Sequence, residues 1–436
     1  FFFLILTSFF SILGNIINLG ISVLSGMIIA KTLGPEGKGA YFLVTQVATI
    51  GAVFFSLGFG PSILYYLKKE RITKNEAISI GIFYSVFVIL MLSILLFLFK
   101  STLIELFNDS ITDQMLLFAF LLIIANILVN FFGYIIMDND IGVKIWSFVG
   151  IIVNVVYILL LFFLVYEMSS GVIGAIYALF ISVIVKLLIS LKYVFSERFS
   201  VQLVSSETAI KILTYGLGIF IGNLFLTGVY RIDVFFVNNI LSVEELGLYS
   251  VSVNLSELLL LVPAAVGIAL FPHLSSLGRK EQLRTMSKVA RLSASVSIFA
   301  SIIIIVFGYP FIIIVFGDEF VQSFIPALFL LPGLIAMTLN FAYSNYMFAI
   351  GEPLMSAKIF FIGILLNVVL NILFLKDFGI VGAAIISSAT YCIITIGFII
   401  IIMKENKEIK FKEIIVPTRE DFSYIIIKVK DILKLN

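Results

Sequence analysis

Apolar stretches of about 20 residues follow one another along almost the whole chain, with little between them. A stretch of that length crosses the hydrocarbon of a bilayer as a helix. Inside hydrocarbon the backbone N–H and C=O groups must be satisfied by the protein itself. The pattern predicts an all-α integral membrane protein. Twelve spans can be placed, over roughly residues 3–30, 40–66, 77–99, 114–137, 143–166, 171–193, 210–238, 245–271, 288–316, 323–349, 355–375 and 379–403. Only 12% of the residues are charged, against about 25% in a soluble domain. No connection is long enough to hold a soluble domain. The chain begins at Phe1, and residues 1–13 lack the charged region and cleavage site of a signal peptide, so they read straight into the first span.

Composition excludes several chemistries. Cys392 is the single cysteine and His273 the single histidine, which argues against an intramolecular disulfide, a zinc site and a histidine-based triad. No phosphate-binding loop of the G-x-x-x-x-G-K-[ST] type occurs, so nothing supports an intrinsic ATPase. Asp138-Asn139-Asp140 spells the D-x-D of glycosyltransferases, but in a short turn without an α/β domain behind it. No metal, cofactor or nucleic acid is expected.

Of the 28 Lys and Arg residues, 23 fall after even-numbered spans or in the tail. Lys31, Lys38, Lys100 and Lys376 fall on the other side, and Arg231 is intramembrane. Positive charge stays in the cytoplasm. The split predicts a multi-pass protein of the cytoplasmic (inner) cell membrane with both termini inside. In the tail, residues 404–436, Phe422, Ile425, Ile426, Val429, Ile432 and Leu433 share one helical face. That face reads as an amphipathic helix on the membrane surface, or as a helix packed under the bundle.

The chain repeats at an offset of 208. Gly14-Asn15 becomes Gly222-Asn223. Leu33, Glu36, Gly39 and Tyr41 become Leu241, Glu244, Gly247 and Tyr249. Gly171-Val172-Ile173-Gly174-Ala175 matches Gly379-Ile380-Val381-Gly382-Ala383. At 209, Asn108-Asp109 matches Gly317-Asp318. The repeat predicts two like-oriented six-helix bundles, residues 1–200 and 201–403, with a substrate path where they meet.

The polar residues inside the spans are the candidate site. On the seventh span, Asn223, Thr227 and Tyr230 cluster within about 60° of the helix, flanked by Arg231 and Asp233. The plain alternative places Arg231 and Asp233 at the membrane interface. On the eighth span, Ser250, Asn254 and Glu257 form one stripe near the midplane, ahead of Pro263. A carboxylate at that depth needs a partner cation or proton, so Glu257 is a candidate H+ or Na+ site; packing is the alternative. In the first half, Asn15 stands where Asn223 does, and Gln46 where Asn254 does. Val23, Ser25 and Thr49 replace Arg231, Asp233 and Glu257, so the charges belong to the second half. Asn126, Asn130, Tyr134 and Asp138 on the fourth span, with Asn154, Asn340, Tyr343, Asn345 and Asn367, read first as helix-to-helix glue. Lys31 and Glu36 read as ordinary loop charges.

Ala30-Lys31-Thr32-Leu33-Gly34-Pro35-Glu36-Gly37-Lys38-Gly39-Ala40-Tyr41 resembles the segment after the first helix of the polysaccharide flippases. These are the O-antigen and capsule exporters of the MATE-like MOP superfamily. Tyr215-Gly216, Arg231-Ile232-Asp233, Gly247-Leu248-Tyr249-Ser250, Ser256-Glu257-Leu258-Leu259 and Leu270-Phe271-Pro272 resemble the family in the same order. The family more often has Arg at the position of Lys31. The resemblance covers about residues 3–403. It implies a flippase for polyprenyl-diphosphate-linked oligosaccharide, working by alternating access beside a polymerase or other glycan-assembly proteins. Spans 1, 2, 7 and 8 would then line the path, Arg231 would meet diphosphate or acidic sugar, and Glu257 would couple an ion. The competing readings are a multidrug/cation antiporter of the same fold and an integral-membrane glycan enzyme. The second usually needs a large outer loop, which the chain lacks.

Overall fold

Among the described residues every regular element is a helix. The computed structural model describes residues 2–108, 110–196, 199–261, 263, 266–267, 270, 274, 277–406 and 414; for 2–19, Asp140 and Pro353 it describes the backbone alone. The tail helix expected beyond residue 406, and His273, lie outside the described residues.

The helices are α1 Phe2–Ser56, α2 Phe59–Lys68, α3 Lys74–Leu106, α4 Asp113–Ile136, α5 Asp140–Leu161 and α6 Gly171–Val194. They continue with α7 Ser206–Phe236, α8 Val243–Ser256, α9 Arg279–Val315, α10 Phe324–Ala349 and α11 Pro353–Glu405. Among the described residues nine helical stretches are long and apolar enough to cross a membrane, so this is a multi-pass membrane protein. Side-chain caps start several of them. Thr73 closes a capping box with Glu76 at the head of α3, and Thr112, Asn139 and Ser205 accept from backbone N–H groups at α4, α5 and α7.

The connection expected between the first two spans is a bend in α1. Only Gly34 leaves helical geometry there (φ 65, ψ −173), so Lys31 and Glu36 stand on helix rather than in a loop. Lys38, expected in the same outer loop, is 4% exposed and lies over the Phe316 ring at 5.4 Å. α11 bends in the same manner at Gly379 (φ 58, ψ −153). Gly171, its counterpart at the 208 offset, has φ 62, and the 209-offset pair Asn108 and Gly317 have φ 50 and φ 104. Two pairs of positions related by these offsets thus share a positive φ.

Close packing divides the chain into two units. Unit 1 is Phe1–Ser250 with Val315–Glu319, and unit 2 is Val251–Ile314 with Phe320–Asn436. In unit 1, α4 is the central helix, packed by α1, α2, α3, α5 and α6. α7 joins α1 and α2, and the Ser62 hydroxyl donates to the Ile212 carbonyl at 2.7 Å. α7 ends in a π turn, Val237–Leu241, where Asn239 donates to the Leu106 carbonyl and Asn108 donates to the Asn239 carbonyl. The outer side of α3 leaves Phe83, Phe87, Leu90, Ile94 and Phe97 exposed. In water such a surface would aggregate, whereas lipid tails solvate it.

In unit 2, α10 runs along α11. Hydroxyls join its helices: Ser252 donates to the Ser323 carbonyl, Ser256 to Ala327, and Thr395 to Ala336, at 2.6, 3.1 and 3.1 Å. Asn371 donates to the Asn367 side chain at 2.8 Å within one helical turn, and Asn367 donates to the Ser387 hydroxyl at 3.5 Å across the Gly379 bend. The chain after α8 tightens into a 3-10 turn, Glu257–Leu260. Pro263 explains it. A proline has no N–H for the carbonyl four residues earlier, which is that of Leu259. The Ser297 hydroxyl on α9 fills the vacancy, donating to the Leu259 carbonyl at 3.1 Å.

Candidate functional site

Unit 1 holds two polar cavities, and α4 borders both. The first has a volume of about 310 Å³. Thr49 and Ser56 line it from α1, Tyr84 from α3, Asn126, Asn130 and Tyr134 from α4, and Phe220 and Asn223 from α7. The second has a volume of about 290 Å³ and is lined by Ser22, Ser25, Asn126, Asn130, Asn154, Tyr157, Ser182 and Lys186 among others. Asn126 and Asn130 lie one helical turn apart, so their amides point the same way and serve both spaces. An amide carries two N–H donors and one oxygen acceptor, which suits ligands rich in hydroxyls. Four aromatic rings, Tyr84, Phe131, Tyr134 and Phe220, add flat apolar faces to the first cavity. No carboxylate and no cation is among its described lining residues.

The expected site residues separate. Asn223 joins the first cavity, as does Thr49, whose hydroxyl donates to the Thr45 carbonyl at 2.8 Å. Asp233 is 2% exposed and accepts from the Tyr249 hydroxyl at 2.6 Å and from the Val234 N–H at 2.9 Å. Neither cavity includes it. Arg231 is half-buried, engaged with neighbours, and outside both linings. Glu257 is also half-buried and engaged, at the first position of the 3-10 turn. Asn254 is exposed. Gln46 is 9% exposed, and its side-chain oxygen has no donor among the described residues. The side chain of Asn15 lies outside the described residues.

The Asp233–Tyr249 bond joins α7 to α8. A buried carboxylate stripped of a donor costs about 1.5 kcal/mol or more. Tyr249→Phe is therefore expected to lower unfolding stability by about 1.5 kcal/mol in a detergent melt. A wild-type melt would show that water or another donor replaces the phenol.

Two groups carry more here than the sequence suggested. Asn126, Asn130 and Tyr134 read as glue, yet they line a cavity. The four-residue stripe was the available signal, but an amide stripe looks the same facing a helix or a void. Lys186, counted with the cytoplasmic charges, lies inside α6 and borders the second cavity. A charge at that depth costs roughly 2.5 to 3.5 kcal/mol to insert. Its ammonium stands over the Trp146 ring, 4.3 Å from the centroid, a cation–π contact.

The family described as polysaccharide biosynthesis protein matches residues 6–278, and the MatE family matches residues 218–373. Agl15 of Haloferax volcanii, provisionally named a low-salt glycan biosynthesis flippase, is 26% identical over 38% of this chain and 36% of its own length. The membrane protein MJ1068 of Methanocaldococcus jannaschii is 32% identical over 39% and 35%. The matched segment thus spans little more than a third of these two relatives. A Shigella flexneri protein with the provisional name O-antigen transporter is 25% identical over 88% of this chain and 93% of its own. Among solved structures, an inward-facing multidrug resistance MATE family transporter of the MOP superfamily superposes with a TM-score of 0.71. It is 16% identical, over 89% of this chain and 95% of the other. The lipid II flippase MurJ in an inward closed conformation superposes with a TM-score of 0.64, at 16% identity over 94% and 89%. The fold is that of the MATE and MurJ transporters, and the family match covers more than half of the sequence: the chain belongs to the polysaccharide biosynthesis protein family.

Proposed function

We propose that this protein translocates a polyprenyl-diphosphate-linked oligosaccharide across the cytoplasmic membrane by alternating access. The observation that carries this is the first cavity, which is neutral, amide-rich and walled by aromatic rings. Sugars offer hydroxyls to amides and C–H faces to rings, and a small set of placed polar groups gives such pockets their specificity. The names of Agl15 and the Shigella flexneri relative support the reading. So does MurJ, a lipid II flippase of the same fold. These relatives are transporters and not enzymes.

The reading includes twelve spans. The bends at Gly34 and Gly379 divide α1 and α11 into two crossings each, and α8 with the residues after it supplies another. It also includes two like-oriented six-helix halves, cytoplasmic termini, coupling to H+ or Na+ through Glu257, and work beside a glycan polymerase. A multidrug or cation antiporter is the second reading, supported by the likeness to the multidrug MATE structure. A cationic cargo would favour a carboxylate in its cavity, and the first cavity has none among its described lining residues.

The test is flipping in proteoliposomes. Polyprenyl-diphosphate oligosaccharide should become accessible to an added glycosidase on the far side, while a cationic dye should not be moved. Dye movement without glycan movement would replace the flippase by the antiporter. Arg231→Ala and Glu257→Gln should each lower flipping by about fivefold, the worth of one hydrogen bond of about 1 kcal/mol. Wild-type rates in both variants would remove these two residues from the site.

A further inference from the structure

We infer that the second cavity of unit 1 is an oxyanion site, which makes the cargo an anion-bearing glycan. The inference rests on the flippase reading for its choice of cargo, but the site itself stands on geometry. Lys186 borders a space of about 290 Å³ whose remaining polar lining is Ser22, Ser25, Asn126, Asn130, Asn154, Tyr157 and Ser182. Ser25 and Ser182 already donate to the Ser22 and Leu179 carbonyls, and Tyr157 is bonded to Tyr41. The donors the cavity offers a ligand are therefore chiefly the Lys186 ammonium and the Asn126 and Asn130 amides, and no carboxylate is among its described lining residues. Lys186 is two-thirds of the way along α6, ~12 Å along the helix from its end at Val194. An ammonium at that depth is held there for a partner or a path. The Trp146 face stabilises its charge without neutralising it. An oxyanion in this cavity would meet the Lys186 ammonium and the Asn126 and Asn130 amides.

Size and continuity favour an oxyanion carried by a sugar. A cavity of about 290 Å³ is far larger than a bare halide requires and accommodates a monosaccharide with its carboxylate or phosphate. Asn126 and Asn130 also line the neutral cavity, so one glycan can place an uncharged residue there and an acidic one against Lys186. The shared chemistry is the oxyanion, supplied by an acidic sugar or by free inorganic phosphate.

The molecule contains its own reporter. Trp146 is the single tryptophan of the chain, and it touches Lys186. The purified full-length protein is titrated with a hexuronate-containing oligosaccharide, its neutral counterpart and inorganic phosphate, and tryptophan emission is followed. The hexuronate oligosaccharide should give a saturable change at a concentration at least tenfold below the neutral one. Lys186→Met should lose that tenfold preference, Lys186→Arg should retain it, and Lys192→Met, exposed on the same helix, should leave it unchanged. Saturation by phosphate at lower concentration than the oligosaccharide would keep the oxyanion site but overturn the glycan as its source. Equal responses to acidic and neutral sugar, or a preference that survives Lys186→Met, would overturn the site. A protein that shows the preference yet flips no lipid-linked glycan would sink the flippase reading and leave this site standing. One that flips without the preference would do the reverse.

Discussion

Replacing Asn126 and Asn130 together by leucine is expected to cut glycan flipping by roughly 30-fold. Among the described residues the two amides alone line both of these polar cavities of unit 1. Each can make more than one hydrogen bond to a hydroxylated ligand. Losing about 1 kcal/mol at each position sums to about 2 kcal/mol, which is where the factor comes from. The leucines point into cavities rather than into packed walls, so the melting temperature should move little. Leucine is also the better helix former and the cheaper residue to place in a membrane. A large drop in flipping with an unchanged melt separates a role in binding from a role as helix glue. If flipping holds at the wild-type rate, the cavities lie off the path and the case for a sugar-lined route fails.

Those same asparagines show where a sequence stops being informative. The apolar spans, the helix starts at Thr73, Thr112 and Ser205, and the break ahead of Pro263 all follow from local rules, and local rules act the same way in every fold. The repeat was visible because Gly171 and Gly379 hold backbone angles that other residues avoid. Partnerships across helices were not visible. Asp233 meets Tyr249, sixteen residues away, because α7 and α8 cross at one height, and no periodicity encodes that height. Arg231 and Asp233 looked alike as intramembrane charges, yet Asp233 is a packed carboxylate with fixed donors. Lys186 escaped notice because one charge scarcely lowers the mean hydropathy of a long apolar helix. Its depth became readable only once α6 had defined ends. Lys38 misled in the opposite direction: a flanking Gly-Pro-Glu-Gly segment looked like a loop, and helix resumes directly after a single break at Gly34.

A large loss of stability is expected from adding a single methyl group at Gly39 or Gly247. A Cβ on Gly39 would stand 1.8 Å from the Val243 carbonyl oxygen, and one on Gly247 would stand 1.9 Å from the Pro35 carbonyl oxygen. Both obstacles are backbone, so no side chain can swing aside. Adding 208 to Pro35 and Gly39 gives Val243 and Gly247, so the contact maps onto itself when the two repeats are exchanged. Small residues allow helix backbones to approach in a membrane, where packing rather than water drives association. Gly39→Ala and Gly247→Ala should each cost about 3 kcal/mol, the upper end of the usual overpacking range. Gly20→Ala and Gly222→Ala have nothing within 4 Å of the new carbon and should stay within about 0.5 kcal/mol of the parent. The double variant decides whether this is one crossing or two separate contacts. Once the first alanine has pushed the helices apart, the second meets a gap already opened, so the pair should cost clearly less than the sum. Additive losses in the detergent melt would mean that the glycines act independently, and the shared crossing would have to be abandoned.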